Sequence, residues 1–483
     1  MIGAVTPKRL RRPLDVAKVA RFERFCARHL RHMKGRFAGQ PFVLEDWQRD
    51  LIAGPLLGTM DADGLRQYRE AYIELPRKQG KSTLGAALAL YLLLADGEYG
   101  GEVYSVAASR DQARIVFDAA KAMIGASPML AAATKAYRSV IEVPETGSIY
   151  RVLSADADLQ HGLNPSAAIV DELHVHPNLE QWEALTSGTA ARSQPLIMAI
   201  TTPGAARSGP AWEVRQRLLQ RDNPRLYGFL SGAEDDDGLD DRQVWRSANP
   251  ASWVQMDYLE DQYRKLPPSV FERLHLGRWP TGDAVGAAIP RAMWDACAGT
   301  PDLHPDNGPC VIAVDAASKR DTTAVALIQR HGDGVNHVRL WSFAADRQMG
   351  YLDYTEVEDL LRELCSTFEV SRLAFDPFQM VRTQQILAAE GLPAETFPQS
   401  DQRMVPACSL LFDVLQERRL VHDGDPELGL QVMNAGIRET PRGWRFEKRK
   451  SSGPIDALVA LTIGVQVAEW EAELGQAPSI MLV

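Results

Sequence analysis

Short runs of aliphatic and β-branched residues alternate with longer helical patterns in the first half of the chain. Four of these runs have the length and composition of buried strands, at residues 71–75, 102–107, 167–170 and 196–201. Strands that alternate with helices are typical of βαβ units, which build a mostly parallel sheet. The longest apolar run, residues 84–95, is shorter than the roughly 20 residues that a membrane-spanning helix needs, so we predict a buried helix there.

The second half carries a separate alternation. Its strand-like segments are residues 310–315, 323–330, 337–343 and 372–376, with a helix predicted over 352–368. The acidic stretch 234–241 and the Pro/Gly/Asp-rich stretch 299–309 lack the apolar surface needed to pack. We therefore predict an α/β protein with four parts: a basic helical segment over 1–40, a domain over 41–230, a connector over 231–305 and a second domain over 306–483.

Composition and charge narrow the class of protein. At 483 residues the chain exceeds what one hydrophobic core usually organises. The five cysteines form no CxxC pair, which argues against a zinc ribbon or a disulfide framework and suits a reducing compartment, and no secretory signal is visible. The formal net charge is −10, yet basic residues concentrate between Lys8 and Arg36 and again between Arg438 and Lys450. Each cluster either follows a phosphate backbone or forms a solvated face.

A phosphate-binding loop is predicted between the first strand and the apolar helix. Its residues are Arg77, Lys78, Gln79, Gly80, Lys81, Ser82 and Thr83. Backbone N–H groups of such a loop face phosphates, Lys81 can reach the β- and γ-phosphate oxygens, and the Ser82 hydroxyl can hold Mg²⁺. Arg77, rather than Lys78, is the better candidate for a charge beside the γ-phosphate in cis. The alternative is an exposed basic turn, and Leu75 occupies the place of the usual first glycine.

Two carboxylates that follow an apolar strand supply the second half of a nucleotide site. Asp171 and Glu172 come directly after the strand predicted at 167–170. We expect Asp171 to hold Mg²⁺ through water, and Glu172 to orient or deprotonate the attacking water. His174 and His176 follow without a Cys or His partner at metal-ligand spacing, so we interpret them as polar loop residues.

Two further segments are candidates for contacts around the nucleotide. Thr201 and Thr202 end the next strand. One interpretation is that their hydroxyls contact the γ-phosphate and transmit its loss to whatever the protein has bound. The other is that they only begin the turn that the following Pro-Gly predicts. Upstream, Gln48 offers an amide for the adenine edge, and Trp47 either packs on the base or belongs to the core.

Three aspartates of the second half fall at the ends of predicted elements. Asp315 and Asp376 each close a strand, and Asp456 precedes the apolar helix at 457–467. Carboxylates gathered at one sheet edge repel one another unless cations lie between them, so we expect a pair of Mg²⁺ or Mn²⁺ ions, which suits phosphodiester cleavage. Asp321 is either a fourth ligand or, as we favour, a turn residue. Taken alone, Asp456 is equally well a helix N-cap.

These motifs together resemble the large terminase subunit of tailed bacteriophages, over about residues 42–467. The resemblance rests on the loop at 77–83, on Asp171-Glu172, on Thr201-Thr202-Pro203, on Trp47-Gln48, and on the acidic motifs around Asp315, Asp376 and Asp456. It implies an N-terminal P-loop ATPase of the ASCE or RecA-like type and a C-terminal ribonuclease-H-like nuclease. The missing first glycine is usual for that family.

The resemblance also implies a function and partners. The function is a motor subunit that hydrolyses ATP to move double-stranded DNA into a procapsid and cleaves concatemeric DNA. The partners are double-stranded DNA, the small terminase subunit, the portal protein and further copies of the chain. The resemblance implies a pentameric ring when the chain is docked and a monomer when it is free. It places the protein in the host cytoplasm, away from membranes. The alternative is a repair or defence helicase-nuclease. The sequence argues against it, because we find no second RecA-like domain with its own strand and carboxylates. A non-catalytic DNA-binding module is disfavoured by the three aspartates.

Overall fold

The computed structural model describes residues 3–7, 14–154, 162–280, 288–316, 322–343, 354–440, 442–447 and 453–476. The chain divides into two compact units. The first comprises Met1–Gln262 and Val270–Thr281, and the second comprises Tyr263–Ser269 and Gly282–Val483. The segment predicted as a connector is thus divided between the two units. Within the ranges described, no helix has both the length and the apolar character needed to cross a membrane.

A nine-stranded sheet forms the centre of the first unit. Its strands are β1 (Ala4–Val5), β2 (Glu70–Glu74), β3 (Glu102–Ala107), β4 (Lys135–Ala136), β5 (Val140–Val143), β6 (Ser148–Ser154), β7 (Ala167–Asp171), β8 (Leu196–Thr201) and β9 (Leu226–Leu230). The spatial order is β1-β9-β2-β8-β7-β3-β6-β5-β4. The six strands from β9 to β6 are parallel, whereas β1, β5 and β4 are antiparallel to their neighbours. The prediction of a mostly parallel sheet is confirmed.

Helices cover both faces of this sheet. Those that pack against its cores are α1 (Val16–His29), α2 (Asp46–Gln48), α3 (Gly54–Gly58), α4 (Lys81–Leu94), α5 (Arg110–Gly125), α6 (Pro128–Ala133), α7 (Glu180–Ser187) and α8 (Gly209–Gln220). Three helices follow along the chain, α9 (Arg242–Ala248), α10 (Met256–Lys265) and α11 (Pro268–His275), and the last two each contain residues of both units. One hydrophobic core contains residues of α1, α4 and α5, and the other contains residues of α7 and α8. Helix α4 is buried along most of its length, as its apolar sequence predicts.

The second unit is built on a six-stranded sheet. Its strands are β10 (Cys310–Asp315), β11 (Thr323–Arg330), β12 (Asn336–Phe343), β13 (Val370–Phe375), β14 (Ala394–Thr396) and β15 (Leu420–Val421). Strands β10, β11 and β12 form an antiparallel meander, while β13 is parallel to β10 and β14 is parallel to β13. This arrangement, with the order β14-β13-β10-β11-β12-β15, is the predicted ribonuclease-H-like sheet.

Helices pack on both faces of the second sheet as well. They are α12 (Arg291–Asp295), α13 (Tyr354–Thr367), α14 (Pro377–Ala389), α15 (Asp401–Gln416), α16 (Pro426–Asn434) and α17 (Asp456–Gln476). Strand β10 alternates between two cores, since Val311 and Ala313 pack with α15, α16 and α17 whereas Ile312 and Val314 pack with α13 and α14. A separate hairpin, β16 (Gly436–Thr440) and β17 (Gly443–Glu447), was not predicted.

Candidate functional site

The loop between β2 and α4 folds around the side chain of Lys81. Lys78 and Gly80 have positive φ angles of 66° and 74°. The Lys81 ammonium is buried and donates to the carbonyl oxygens of Leu75 and Pro76, at 3.2 Å each. A Cβ atom at Gly80 would also lie 2.9 Å from the ring of Trp253, so both the backbone angle and the close contact require glycine here. A tight glycine-containing loop with a buried lysine therefore precedes α4, where the sequence predicts phosphate binding.

Glu172, which directly follows β7, contacts Lys81, the first residue of α4. One carboxylate oxygen of Glu172 lies 3.6 Å from Lys81 Nζ. The other accepts from the backbone N–H and the hydroxyl of Thr202, at 3.1 and 3.2 Å, and lies 3.2 Å from Nδ1 of His174. Desolvation alone would raise the pKa of Glu172, but the charge of Lys81 and the contact with His174 hold this pKa well below its usual range. Glu172 is therefore ionised and oriented.

Asp171 occupies a different environment from its neighbour. It ends β7 and is buried. Burial and the adjacent charge of Glu172 raise the pKa of Asp171 to about 7, against the opposing effect of Lys81. A buried carboxylate with a raised pKa gains stability from a nearby cation. Asp171 therefore fits the predicted role of a Mg²⁺ ligand.

The two threonines and the two histidines form one hydrogen-bonded group around Glu172. The backbone N–H of His174 points to Thr201 Oγ1 at 3.3 Å, and His174 Nδ1 lies 3.0 Å from the same hydroxyl. His176 is buried, with Nε2 3.4 Å from the carbonyl oxygen of Asp171. The histidines interpreted from the sequence as polar loop residues thus contact the carboxylate motif directly. Nothing in their spacing indicated this, because the contact depends on β8 lying beside β7.

A cavity of about 660 Å³ opens beside this loop. It is lined by His32, Lys34, Gly35, Arg36, Phe37, Phe42, Gln48, Lys78, Gly80, Thr83 and Trp253. Gln48 is buried, and its Oε1 accepts from the backbone N–H of Glu45 at 3.1 Å in a helix capping box. The volume lies within the usual range for small-molecule sites. The segment 32–37 and Trp253 were not identified as candidates from the sequence, because no motif marks them.

Trp47 lies outside the lining of this cavity. Its ring stacks on Phe229 at 6.3 Å and packs against the hydrophobic core, and its indole N–H donates to Glu45 at 2.7 Å. The aromatic residues that line the cavity are Phe37, Phe42 and Trp253. Of the two alternatives left open by the sequence, Trp47 therefore takes the core position.

The segment after α9 forms hydrogen bonds with the loop between β2 and α4. The side-chain N–H of Gln79 donates to Asn249 at 2.7 Å, and Gln79 Oε1 accepts from the backbone N–H of Ala251 at 3.0 Å. Trp253 Nε1 donates to the carbonyl oxygen of Lys78 at 2.7 Å. Both Gln79 and Asn249 are fully buried. Part of the predicted connector is thus a component of the nucleotide site.

Arg77 is exposed and lies near a second arginine that sequence reasoning missed. Its backbone N–H donates to the carbonyl oxygen of Leu274 at 2.7 Å. Burial and the charge of Arg77 lower the pKa of Arg273 to about 10, and Glu172 acts in the opposite direction. Arg273 also donates to the carbonyl oxygen of Pro203 at 3.4 Å. Two guanidinium groups therefore lie close to the carboxylate motif.

The second unit brings two of the three predicted aspartates onto one donor. Asp315 ends β10, and Asp376 follows the parallel neighbour β13. The side-chain nitrogen of Gln399 donates to Asp315 at 2.6 Å and to Asp376 at 2.8 Å. Both carboxylates are buried. One donor thus contacts both carboxylates. Nothing in the sequence indicated this role for Gln399.

Asp456 lies at the same end of this sheet, with partners of its own. It begins α17, and its Oδ2 accepts from the backbone N–H and the hydroxyl of Thr322, at 3.3 and 2.9 Å. Thr322 directly precedes β11, whose Ala324 pairs with Asp315. Among the residues that the structure describes, however, no group of three His, Cys, Asp or Glu side chains is placed to hold a metal ion. Asp315 and Asp376 therefore share a donor, whereas the cage of three carboxylates stays a prediction, and Asp321 lies outside the described residues.

Two arginines of the C-terminal basic cluster, Arg438 and Arg445, form ion pairs. Arg438 contacts Asp401 and lies 3.3 Å from Glu447, and Arg445 lies 3.3 Å from Asp401. Arg445 also donates to the carbonyl oxygen of Gln399 at 2.7 Å. Residues 448–450 lie outside the described residues. These two arginines therefore support the loop that carries Gln399.

Comparison with known proteins identifies two family domains in the chain. The family model "Terminase large subunit, ATPase domain" matches residues 46–218, and "Terminase large subunit, endonuclease domain" matches residues 339–472, so that together they cover more than half of the chain. The chain belongs to the large terminase subunit family. It combines the family's ATPase and endonuclease domains, which use a nucleotide and a divalent metal, and acts in phage DNA packaging and cleavage. The alternative of a helicase-nuclease is not favoured.

Individual relatives extend over different shares of the chain. The large terminase subunit of Enterobacteria phage HK97 is 26% identical over 494 residues, covering 94% of this chain and 95% of that protein. Protein YmfN of Escherichia coli (strain K12) is 27% identical over 354 residues, covering 63% of this chain and 77% of that protein. The crystal structure of the HK97 large terminase aligns with a TM-score of 0.49 at 24% identity, covering 93% of this chain and 99% of that chain.

Proposed function

We propose that the chain is a viral DNA-packaging motor subunit that uses the first unit to hydrolyse ATP and the second to cleave DNA. The observation that carries this proposal is the meeting of Lys81 and Glu172, 3.6 Å apart, beside a cavity of about 660 Å³. A phosphate-binding lysine at the start of α4 and an ionised carboxylate after β7 are the two groups that γ-phosphate transfer to water needs. Their presence supports hydrolysis rather than nucleotide binding alone.

Each residue of the loop has a defined task in this proposal. Lys81 exchanges its two carbonyl contacts for the β- and γ-phosphate oxygens, while the N–H groups that begin α4 face the phosphates. Ser82 and Asp171 hold Mg²⁺, which supplies charge neutralisation on the phosphates. Thr83, Lys78, Gly80 and Gln79 shape the loop, and Gln48 contacts the adenine edge. Phe37 and Trp253, which line the cavity, take the base-packing role expected of Trp47.

Glu172 acts as general base or orients the attacking water. Thr202 and His174 orient its carboxylate. The loss of the γ-phosphate therefore changes the contacts of Thr201 and Thr202 first. Arg77 supplies positive charge to the γ-phosphate in cis, and its neighbour Arg273 keeps the local potential positive. This arrangement links hydrolysis to the loop that follows β8.

For the nuclease, we propose that Asp315 and Asp376 hold divalent cations, Mg²⁺ or Mn²⁺, with Asp456 as the third acidic residue at the same sheet end. The shared contact to Gln399 supports this fit, because one donor already bridges the two buried carboxylates. The metal would supply charge stabilisation for the attacking and leaving oxygens of the phosphodiester.

The partners follow from the same role. We propose that several copies assemble as a ring, a pentamer, on the portal protein of a procapsid in the host cytoplasm, that the small terminase subunit recruits the substrate, and that the substrate is double-stranded DNA. The free chain can be a monomer. These partners accord with the family to which the chain belongs.

Two assays on the purified full chain test the proposal. ATP turnover and the conversion of supercoiled plasmid to cut forms are measured with Mg²⁺, with Mn²⁺ and with excess chelator. We expect both activities to require metal, and cleavage to be largely independent of DNA sequence because backbone contacts carry no base information. Cleavage that persists in excess chelator, or the absence of ATP turnover in the presence of Mg²⁺ and duplex DNA, would contradict it.

A further inference from the structure

One face of α1 carries a row of arginines. Arg21, Arg24 and Arg28 are exposed and follow one another at a spacing of three and four residues. Residues at this spacing lie on the same side of a helix. Helix α1 is fixed in place by its opposite side, where Phe22 and Cys26 are fully buried. The arginines are therefore displayed from a rigid support.

These three arginines are not neutralised by neighbouring acids. Within the described ranges, none of Arg21, Arg24 and Arg28 forms a side-chain hydrogen bond or an ion pair, although many other arginines of the chain do. The whole chain has 63 acidic and 53 basic residues. An uncompensated positive row is therefore a local feature and does not follow from the overall composition.

The row borders a groove that basic side chains line. Arg21, Arg24, Arg28 and His29 line an open cavity of about 540 Å³, with Phe25 and Ala95 among its other lining residues. Burial and the charges of Arg28 and Arg31 lower the pKa of His29. The groove thus has room for an anionic ligand.

We propose that this face of α1 binds the phosphate backbone of double-stranded DNA. At 1.5 Å per residue the row extends over about 10 Å, which is the axial length of roughly three phosphates of one strand. Guanidinium groups match phosphate oxygens in geometry and charge. The chain that continues from α1 lines the nucleotide cavity with His32, Lys34 and Arg36, so the DNA contact and the nucleotide are joined by one short segment. The inference rests on the proposed function for its choice of DNA as the ligand.

The test compares two triple variants of the full chain. In one variant the row is changed by Arg21→Gln, Arg24→Gln and Arg28→Gln. In the matched control the same loss of charge is made at three exposed arginines elsewhere in the first unit, by Arg138→Gln, Arg151→Gln and Arg225→Gln. Binding of two fluorescent duplexes of unrelated sequence is measured by anisotropy from about 50 to 200 mM salt, and ATP turnover is measured without DNA.

We expect the row variant to bind both duplexes ~10- to 100-fold more weakly than the control, with the slope of log affinity against log salt reduced by about 2 to 3, since each phosphate contact contributes about 0.9. Its ATP turnover without DNA should equal that of the control. Equal DNA affinities of the two variants would overturn the assignment of this face while leaving the packaging role intact. An altered oligomeric state with unchanged DNA binding would also overturn it, in favour of a protein contact. A wild-type chain that binds no duplex would contradict the proposed function as well.

Discussion

The side-chain amide of Gln79 donates to the side-chain oxygen of Asn249 at 2.7 Å, across 170 positions of the sequence. Asn249 in turn donates to the carbonyl oxygens of Trp245 and His275, at 2.9 and 2.7 Å. All polar groups of this buried amide pair are thus used to fix the phosphate loop against the chain after α9 and the end of α11. The loop therefore depends on residues far from its own motif for its shape.

Replacement of Asn249 by alanine is expected to weaken ATP binding and lower stability. The change leaves buried polar groups without partners, at a cost of about 1–3 kcal/mol each, and frees Gln79. We expect a roughly 10-fold higher KM for ATP and a lower unfolding temperature, measured by steady-state ATPase assays and calorimetry. Gln220→Ala, at an exposed helical position, serves as the control. An unchanged KM in N249A would show that the clamp does not shape the loop.

Substitutions at the two central groups of the nucleotide site should separate binding from chemistry. Lys81→Ala removes the phosphate contact, so we expect both nucleotide affinity and turnover to fall. Glu172→Gln keeps the size of the side chain but removes the base, so turnover should fall by about 10²- to 10⁴-fold while ATP still binds. Nucleotide binding is measured by equilibrium titration and turnover by phosphate release, with the exposed Lys135→Ala as the control. Near-normal turnover in E172Q would remove Glu172 from the mechanism.

Substitutions in the second unit should abolish cleavage and leave ATP turnover intact. Asp315→Ala and Asp376→Ala each remove one of the carboxylates that share the Gln399 amide. We expect plasmid cutting to fall by at least about 10²-fold, because the proposed cations lose a ligand. Asp306→Asn, at an exposed position of the same unit, should cut normally. Equal losses of cutting and of ATP turnover in D315A would point to misfolding instead, which circular dichroism would reveal.

Gln399 gives a prediction that can be read without any enzymatic assay. In Gln399→Ala the two buried carboxylates lose their shared donor, whose hydrogen bonds to charged groups are worth about 1.5–3 kcal/mol each. We expect the variant to unfold at a lower temperature than the wild type in chelator, and to regain most of the difference in saturating Mg²⁺ because the ion binds only the folded state. Scanning calorimetry with and without Mg²⁺ measures this. A deficit that Mg²⁺ leaves unchanged would argue against a cation at this position.

The sequence was informative where local pattern and chemistry coincide. The strands around the phosphate loop were predicted to within one or two residues because they are fully buried in a parallel sheet, which gives continuous apolar runs. The aspartates at strand ends were found for the same reason. Parallel strands carry such residues to a common edge, which is why Asp315 and Asp376 were predicted to lie close together, along with Asp456.

What the sequence missed depends on contacts between distant segments. Trp253 and Gln399 reach their sites from loops that carry no motif, and each is defined only by its partner across the fold. Trp47 shows the converse, because an aromatic residue beside a candidate glutamine can face either the core or the cavity. Helix α2 has only three residues, which is too few for a hydrophobic periodicity to show which side chain faces the core.

The position of Trp253 also gives the molecule an internal optical probe. Its indole lines the nucleotide cavity, packs closely against Gly80 and donates to the carbonyl oxygen of Lys78. Any ligand that displaces solvent from this ring or breaks that hydrogen bond changes the polarity around a fluorophore. Although the chain has 10 tryptophans, the difference in emission between the wild type and Trp253→Phe isolates this one. Occupancy of the motor can thus be followed in real time without attaching a dye.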